Sequence, residues 1–272
     1  MNEQEQMLTS VMNCRRVDLY VDKKEMTPVQ ERQYARMLKR RQQGEPLQYI
    51  IGHCEFLNTK LFVNEHVLIP RPETELLVEM AVQKLRMTTR RPLRILDLGT
   101  GSGNIAIAIA KRIYECHVDA IDISREAIMV ARHNAEKNFV QKKTTFIWCD
   151  MFNWLGLDED LIKPYDMIIS NPPYIPSADV AGLPADVQRE PHIALDGGVD
   201  GLAYYRGIIA AAGKFLKPDG YLMLEIGEEQ SAALKAVFKQ YSDFQKVFVF
   251  RDYTDADRFL CAQYVPDTTA NN

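Results

Sequence analysis

Asn171-Pro172-Pro173-Tyr174 is the part of the chain best equipped for chemistry on a planar nitrogen. Neither proline has an N–H, so the turn is rich in hydrogen-bond acceptors. The side-chain carbonyl of Asn171 and the main-chain carbonyl of Pro172 can together take both hydrogens of an –NH2 group and leave its nitrogen aimed at an electrophile. Tyr174 adds a flat aromatic face. An ordinary strand-to-loop turn would account for the Pro-Pro step taken alone, so the motif gains meaning only with a second site beside it.

Gly99-Thr100-Gly101-Ser102-Gly103 offers that second site, between the apolar run 93–98 and the helix-forming stretch 105–110. Strand, glycine loop and helix in this order form a nucleotide-binding arrangement. The loop backbone can approach a ligand closely, and the helix start leaves N–H groups for a carboxylate. Asn104 stands where a dinucleotide fingerprint has its third glycine, which turns the expectation from NAD toward S-adenosyl-L-methionine. Asp122 ends the next strand, 117–122, where a carboxylate can accept from both ribose hydroxyls; a helix cap shared with Ser124 is the alternative.

These residues need a sheet to carry them. Met167, Ile168 and Ile169 form a β-favouring run that must end at Ser170 or Asn171, because two prolines cannot continue a central ladder. With the strands at 93–98, 117–122 and 144–149, and helix-like segments between them, this implies a parallel sheet with ligands at its carboxyl ends. The asparagine turn and the glycine loop then face one crevice. A polar loop follows to about Asp200, containing Gln188-Arg189-Glu190-Pro191 and Ala194-Leu195-Asp196-Gly197-Gly198. Its length and glycine turns mark it as functional, on the acceptor side. A helix over 208–216, a turn at 217–220, a strand over 221–226, a helix over 230–241 and a hairpin-like strand pair near 246–250 and 258–265 complete the sheet.

Upstream, residues 1–45 read as a small helical domain. Thr27-Pro28-Val29-Gln30 is a helix start with a capping box, and Val29, Tyr34, Met37 and Leu38 make a one-sided apolar stripe closed by Gly44 and Pro46. Lys39-Arg40-Arg41 is a solvated face or a contact for a partner or RNA. Phe56, Leu61, Phe62, Val63, Val67, Leu68 and Ile69 are strand-like, with a hairpin turn at Asn58-Thr59-Lys60. Glu73 and Glu75 then fall in the first turn of a helix, where they suit its dipole.

Composition narrows the functional classes. The 272 residues suggest two domains, and 46% hydrophobic content supports real cores. The net charge of −4, from 33 basic and 37 acidic residues, provides no global field for a phosphate backbone. Five scattered cysteines without a C-x-x-C pair point to reduced thiols and against disulfides or zinc. The histidines show no metal spacing. No run approaches the ~18 apolar residues of a membrane span, and residues 1–25 lack the apolar centre of a signal peptide. A cytoplasmic location and a disordered tail over 267–272 are expected.

Asn-Pro-Pro-Tyr resembles the signature of S-adenosylmethionine-dependent enzymes that methylate amide or exocyclic amino nitrogens. Gly44 through Gly52, Glu55-Phe56 and Leu68-Ile69-Pro70-Arg71-Pro72-Glu73-Thr74-Glu75 resemble the connector of one family, the protein-(glutamine-N5) methyltransferases that modify peptide chain release factors (PrmC/HemK). The likeness runs from Gly44 to about Tyr264. It implies an α/β fold, a class I methyltransferase with a Rossmann-like, seven-stranded, mostly parallel sheet whose last strand is antiparallel. It also implies an organisation of 1–45 helical substrate-docking domain, 46–75 connector with a β-hairpin and 76–266 catalytic domain. S-adenosyl-L-methionine is the implied cofactor, held by Gly99, Thr100, Gly101, Ser102, Gly103, Asp122, Met151 and Asn171. Asp150 and Met151 are candidates for the adenine amino group and flat face, with ordinary core the alternative for Met151. Asn171, Pro172, Pro173 and Tyr174 bind the acceptor, the glutamine of a Gly-Gly-Gln loop in class I release factors, in support of translation termination. The enzyme is expected to be a monomer, without metal, membrane or direct nucleic-acid contact. Asn58 and Asp255-Ala256-Asp257 depart from the family pattern, which favours small or glycine residues there. An N6-adenine methyltransferase would share the motif but needs a basic recognition region. A silent binding module would tolerate loss of Asn171 or the glycines, and a NAD dehydrogenase needs the other glycine spacing.

Overall fold

The computed structural model describes residues 2–21, 25–157 and 163–266; the tail expected to be disordered, 267–272, lies outside the described residues. Helices α1 (Glu3–Met12), α2 (Asp18–Val21), α3 (Pro28–Gln42) and α4 (Leu47–Ile51) open the chain. Thr27 caps α3 with the expected box, its hydroxyl accepting from Gln30 N while the Gln30 side chain accepts from Thr27 N. Helix α4 is an addition to the expected elements. Its Leu47 and Ile50 pack with Met7, Val11 and Met37, so the helical cluster continues to Ile51. In the basic cluster, Arg40 pairs with Glu45 and Arg41 with Glu3, the latter at 2.8 Å.

A hairpin follows, β1 (His53–Phe56) against β2 (Thr59–Phe62). Its turn is Leu57-Asn58, with φ of 48° and 59°, so Thr59 and Lys60, expected in the turn, are already strand. Two successive left-handed residues match the twist of a tight hairpin, and Asn tolerates that conformation. Asp255 is also left-handed, at φ 67°. Asn58 and Asp255 thus occupy backbone that glycine adopts freely and that Asn and Asp tolerate. Val67, Leu68 and Ile69 form no ladder: they are connector, with Val67 and Ile69 buried.

Helix α5 (Pro72–Met87) leads into the main body: β3 (Leu93–Leu98), α6 (Asn104–Arg112), β4 (Cys116–Asp122), α7 (Arg125–Lys137), β5 (Thr144–Trp148), α8 (Met151–Leu155) and β6 (Tyr165–Ser170). Three single 3-10 turns punctuate the long loop, and α9 (Ala203–Phe215), β7 (Leu216–Glu225), α10 (Ser231–Phe238), β8 (Phe244–Arg251) and β9 (Asp257–Tyr264) complete it. The sheet order is β5-β4-β3-β6-β7-β9-β8, parallel except for β9, which is antiparallel to both neighbours. The expected turn at 217–220 lies inside the span of β7, whose pairing with β6 shifts register between Tyr165 and Met167. Alternate residues serve two cores. In β3 and β6, Ile95, Met167 and Ile169 join the layer of α5, α6 and α7, while Leu96, Leu98 and Ile168 join that of α9 and α10. Among the described residues, no helix is long and apolar enough to cross a membrane.

Register decides where the reactive residues stand. Ile121, Leu98, Ser170 and Leu224 pair in one row across β4, β3, β6 and β7. The next residue on each strand is Asp122, Gly99, Asn171 and Glu225, at the carboxyl rim. The strand order reverses here too, since β3 connects toward β4 on one side and β6 leads to β7 on the other, which is where open α/β sheets bind ligands.

The hairpin is fastened to this body by Asn134 of α7, 1% exposed, whose Oδ1 accepts from Phe62 N at 2.7 Å. Its Nδ2 donates to Phe62 O and Ser102 O, both at 2.9 Å. Asn134→Ala would strand these groups, and urea unfolding is expected to register a loss of about 1–3 kcal/mol; an unchanged midpoint would show that the contact carries no net stability.

Candidate active site at the sheet rim

A pocket opens over the rim, lined by Gly99, Gly101, Asp122, Ile123, Ser124, Asp150, Met151, Phe152, Asn171 and Pro173. The glycine loop and the asparagine turn therefore share one crevice, as expected. Asp122 accepts from Gly101 N at 2.8 Å and from Ser124 N at 2.9 Å, one bond to each oxygen. Burial holds its carboxyl above the usual range, and those N–H groups oppose the rise. The cap of α7 is Ser124, accepting from Ala127 N, so the cap role weighed for Asp122 belongs to its neighbour. Asp150 caps α8, accepting from Phe152 N at 2.7 Å, and with Met151 faces the pocket.

Thr100, Ser102, Gly103, Pro172 and Tyr174 are not in the pocket wall. Thr100 and Ser102 are each 1% exposed, and the Thr100 hydroxyl donates to Asp97 Oδ2 at 2.6 Å, beneath the loop. Burial pushes Asp97 up to about 7. Gly103 sits at φ 81°, and a Cβ there would meet Ile107 Cδ1 at 3.0 Å and Ala131 Cβ at 3.1 Å, so it seats α6 against α7 rather than touching the pocket. Tyr174 differs from its expected place against an acceptor: its ring packs on the apolar cluster of α9 and α10, where a large apolar face gains most from burial. Its carbonyl accepts from Gln230 Nε2 at 2.8 Å, and burial pushes its hydroxyl up to about 12.

Several lining residues lie outside the glycine loop and the asparagine turn. His66, Val67 and Leu68 come from the connector, and Pro191, Ile193, Ala194 and Tyr204 from the long loop and α9. Phe152 and Tyr204 stack at 5.6 Å and 17°. The loop is braced from both sides. Glu190 accepts from Ile69 N at 2.9 Å and pairs with Arg71 at 2.6 Å, while Arg189 donates to Gln43 O at 2.5 Å. Glu75, expected to serve its helix dipole, also accepts from Leu57 N at 2.9 Å in the hairpin turn.

The residues present suit a nucleoside with a charged tail. Asp122 keeps lone pairs beyond its two backbone bonds. Side-chain-free Gly99 and Gly101 open the floor, and Met151 and Phe152 offer apolar faces.

Such a rim on such a sheet defines a class I methyltransferase, and a family model described as a methyltransferase domain matches residues 90–257. A second, described as the PrmC N-terminal domain, matches 2–52. The chain belongs to the release factor glutamine methyltransferases. It is 38% identical to the release factor glutamine methyltransferase of Thermodesulfovibrio yellowstonii, over 96% of this chain and 91% of that one. To that of Salmonella typhimurium it is 41% identical, over 89% and 83%. The ribosomal protein L11 methylase of Lactobacillus delbrueckii subsp. bulgaricus shares the fold, with a TM-score of 0.50 at 20% identity over 74% of this chain and 82% of that one.

The long loop closes on the asparagine turn so tightly that a Cβ on Gly197 would lie 2.7 Å from Tyr174 Cα. Gly197→Ala is therefore expected to lower stability by about 1–3 kcal/mol through overpacking and to alter the near-ultraviolet dichroism of the tyrosines. Unchanged spectra and urea midpoint would show that the turn has room to move.

Proposed function

We propose that this chain transfers a methyl group from S-adenosyl-L-methionine to the side-chain amide nitrogen, N5, of the glutamine in the Gly-Gly-Gln loop of class I release factors. The observation that carries it is the rim, where Asp122, Gly99 and Asn171 line one pocket in a chain of this family. Gly99, Gly101, Asp122 and Met151 hold the cofactor, which supplies an electrophilic sulfonium methyl. Thr100, Ser102 and Gly103 hold the loop in shape.

An amide nitrogen is a poor nucleophile because its lone pair is delocalised. Asn171 Oδ1 and the Pro172 carbonyl accept its two hydrogens and present the nitrogen to the methyl. Among the described residues, no donor is hydrogen-bonded to either oxygen. Pro173 closes the pocket wall beside them, and Tyr174 anchors the turn. The methyl would come from S-adenosyl-L-methionine held by Gly99, Gly101, Asp122 and Met151, and the methylated amide nitrogen sheds one proton to solvent. Orientation and electrostatics do the work, without a committed general base.

The same proposal makes the enzyme a cytoplasmic monomer acting on protein rather than nucleic acid. The net charge of −4 and the internal pairing of Arg40 and Arg41 support a protein partner. Helices α1–α4 add docking area away from the chemistry, so a short Gly-Gly-Gln peptide is a far poorer substrate.

Incubation with labelled S-adenosyl-L-methionine and, separately, release factor, its loop Gln→Ala variant, DNA and ribosomal RNA tests this by mass spectrometry. Label on the loop glutamine alone is expected; label on adenine, or equal labelling of the variant, would overturn it. Asn171→Ala is expected to slow single-turnover transfer about a hundredfold to a thousandfold with a much smaller loss of cofactor affinity. Asp122→Ala should do the reverse, weakening cofactor binding about tenfold to a hundredfold by calorimetry; full affinity in a folded variant removes Asp122 from the site.

A further inference from the structure

The two ends of the Asn171 amide are nearly isosteric, so packing alone cannot choose which one faces the pocket, and only hydrogen bonds can. Asn171 Nδ2 lies 3.1 Å from Thr74 Oγ1, and Thr74 Oγ1 lies 2.7 Å from Glu225 Oε2. A hydroxyl has one hydrogen, and an ionised carboxylate can only accept. While Glu225 is ionised, the Thr74 hydrogen therefore goes to it, and Thr74 can receive only a donor from Asn171. The NH2 end is drawn to Thr74 and Oδ1 is left for the other side. Thr74, in the first turn of α5, and Glu225, at the end of β7, are each 1% exposed, so water does not compete.

We propose that Glu225 and Thr74 are positioning residues that set the polarity of the Asn171 amide, so that an incoming primary amide meets a carbonyl oxygen and not a second NH2 group. The proposal rests on Asn171 as the acceptor grip. Neither residue touches reacting atoms. An inverted Asn171 would face donors with donors and hold the substrate nitrogen away.

The chain of bonds has a pH signature. Glu225 is faced by Arg258 of β9, by Arg71 and Glu73 at the start of α5, and by the phenols of Tyr174 and Tyr205. Burial outweighs the opposing Thr74 bond and Arg258 charge, and pushes its carboxyl up to about 7. Once protonated, Glu225 becomes a donor, the Thr74 hydrogen is freed toward Asn171, and the amide can invert. Transfer is thus full above that value and falls as pH drops through it.

Single-turnover methylation of release factor by wild type, Thr74→Val, Thr74→Ser and Glu225→Gln, with cofactor affinity measured calorimetrically, tests the inference. Thr74→Val is expected to bind the cofactor within about threefold of wild type and to lose about a hundredfold in rate, while Thr74→Ser, which restores the hydroxyl, stays within about fivefold. Glu225→Gln is expected to lose the acid limb of the rate profile. Thr74→Val at wild-type rate, a loss shared equally by Thr74→Ser, or an acid limb unchanged in Glu225→Gln each overturns it. Should Thr74→Val fail to fold, a loss of about a hundredfold in Thr74→Ser or an acid limb unchanged in Glu225→Gln overturns it. A wild type that leaves the loop glutamine unlabelled sinks the functional reading itself; an active wild type with an equally active Thr74→Val sinks only this inference.

Discussion

The pairing of Leu98 with Ser170 across the centre of the parallel sheet is the constraint on which the rest depends. It sets Gly99 beside Asn171, and so brings the glycine loop and the asparagine turn to one edge. Ser170 reinforces the pairing, its hydroxyl donating to Leu98 O at 2.6 Å in a fully buried environment. A slip of one residue would exchange the two apolar layers of β6, moving Ile168 out of one core and Ile169 out of the other. The packing of two different helical layers therefore protects the active-site geometry.

Around that row, polar contacts between distant segments do what packing cannot. Glu190 is 5% exposed, and burying a carboxylate is costly unless it is paired and bonded. Arg71 and the Ile69 N–H supply the compensation. The arrangement ties the long loop to the connector, and Arg189 extends the tie to Gln43 at the end of α3. The part of the chain proposed to hold the partner is thus coupled to the wall of the rim pocket.

The rim also concentrates buried carboxyls. Asp97 beneath the glycine loop and Glu225 beside the asparagine turn are both raised to about 7 by desolvation. Each is bonded by a threonine hydroxyl, Thr100 or Thr74. Their common physics is a low-dielectric environment in which one hydrogen bond fixes the orientation of the groups above it.

What the sequence determined by itself was local. Pro172 and Pro173 ended β6 at Ser170, because a residue without an N–H cannot extend a central ladder. The Thr27 box began α3, and the strand, glycine loop and helix succession placed a nucleotide site. What only the tertiary structure decided was non-local. Strands buried on both faces carry no alternation that specifies their neighbours, so the row Asp122, Gly99, Asn171, Glu225 could not be read from periodicity. Thr74 lies 97 residues from Asn171 and 151 from Glu225, and a threonine between two glutamates in a helix start looks like capping until β7 arrives beside it. Tyr174, legible as an aromatic face, lies partly buried against the cluster of α9 and α10, a placement that depends on elements distant in the chain.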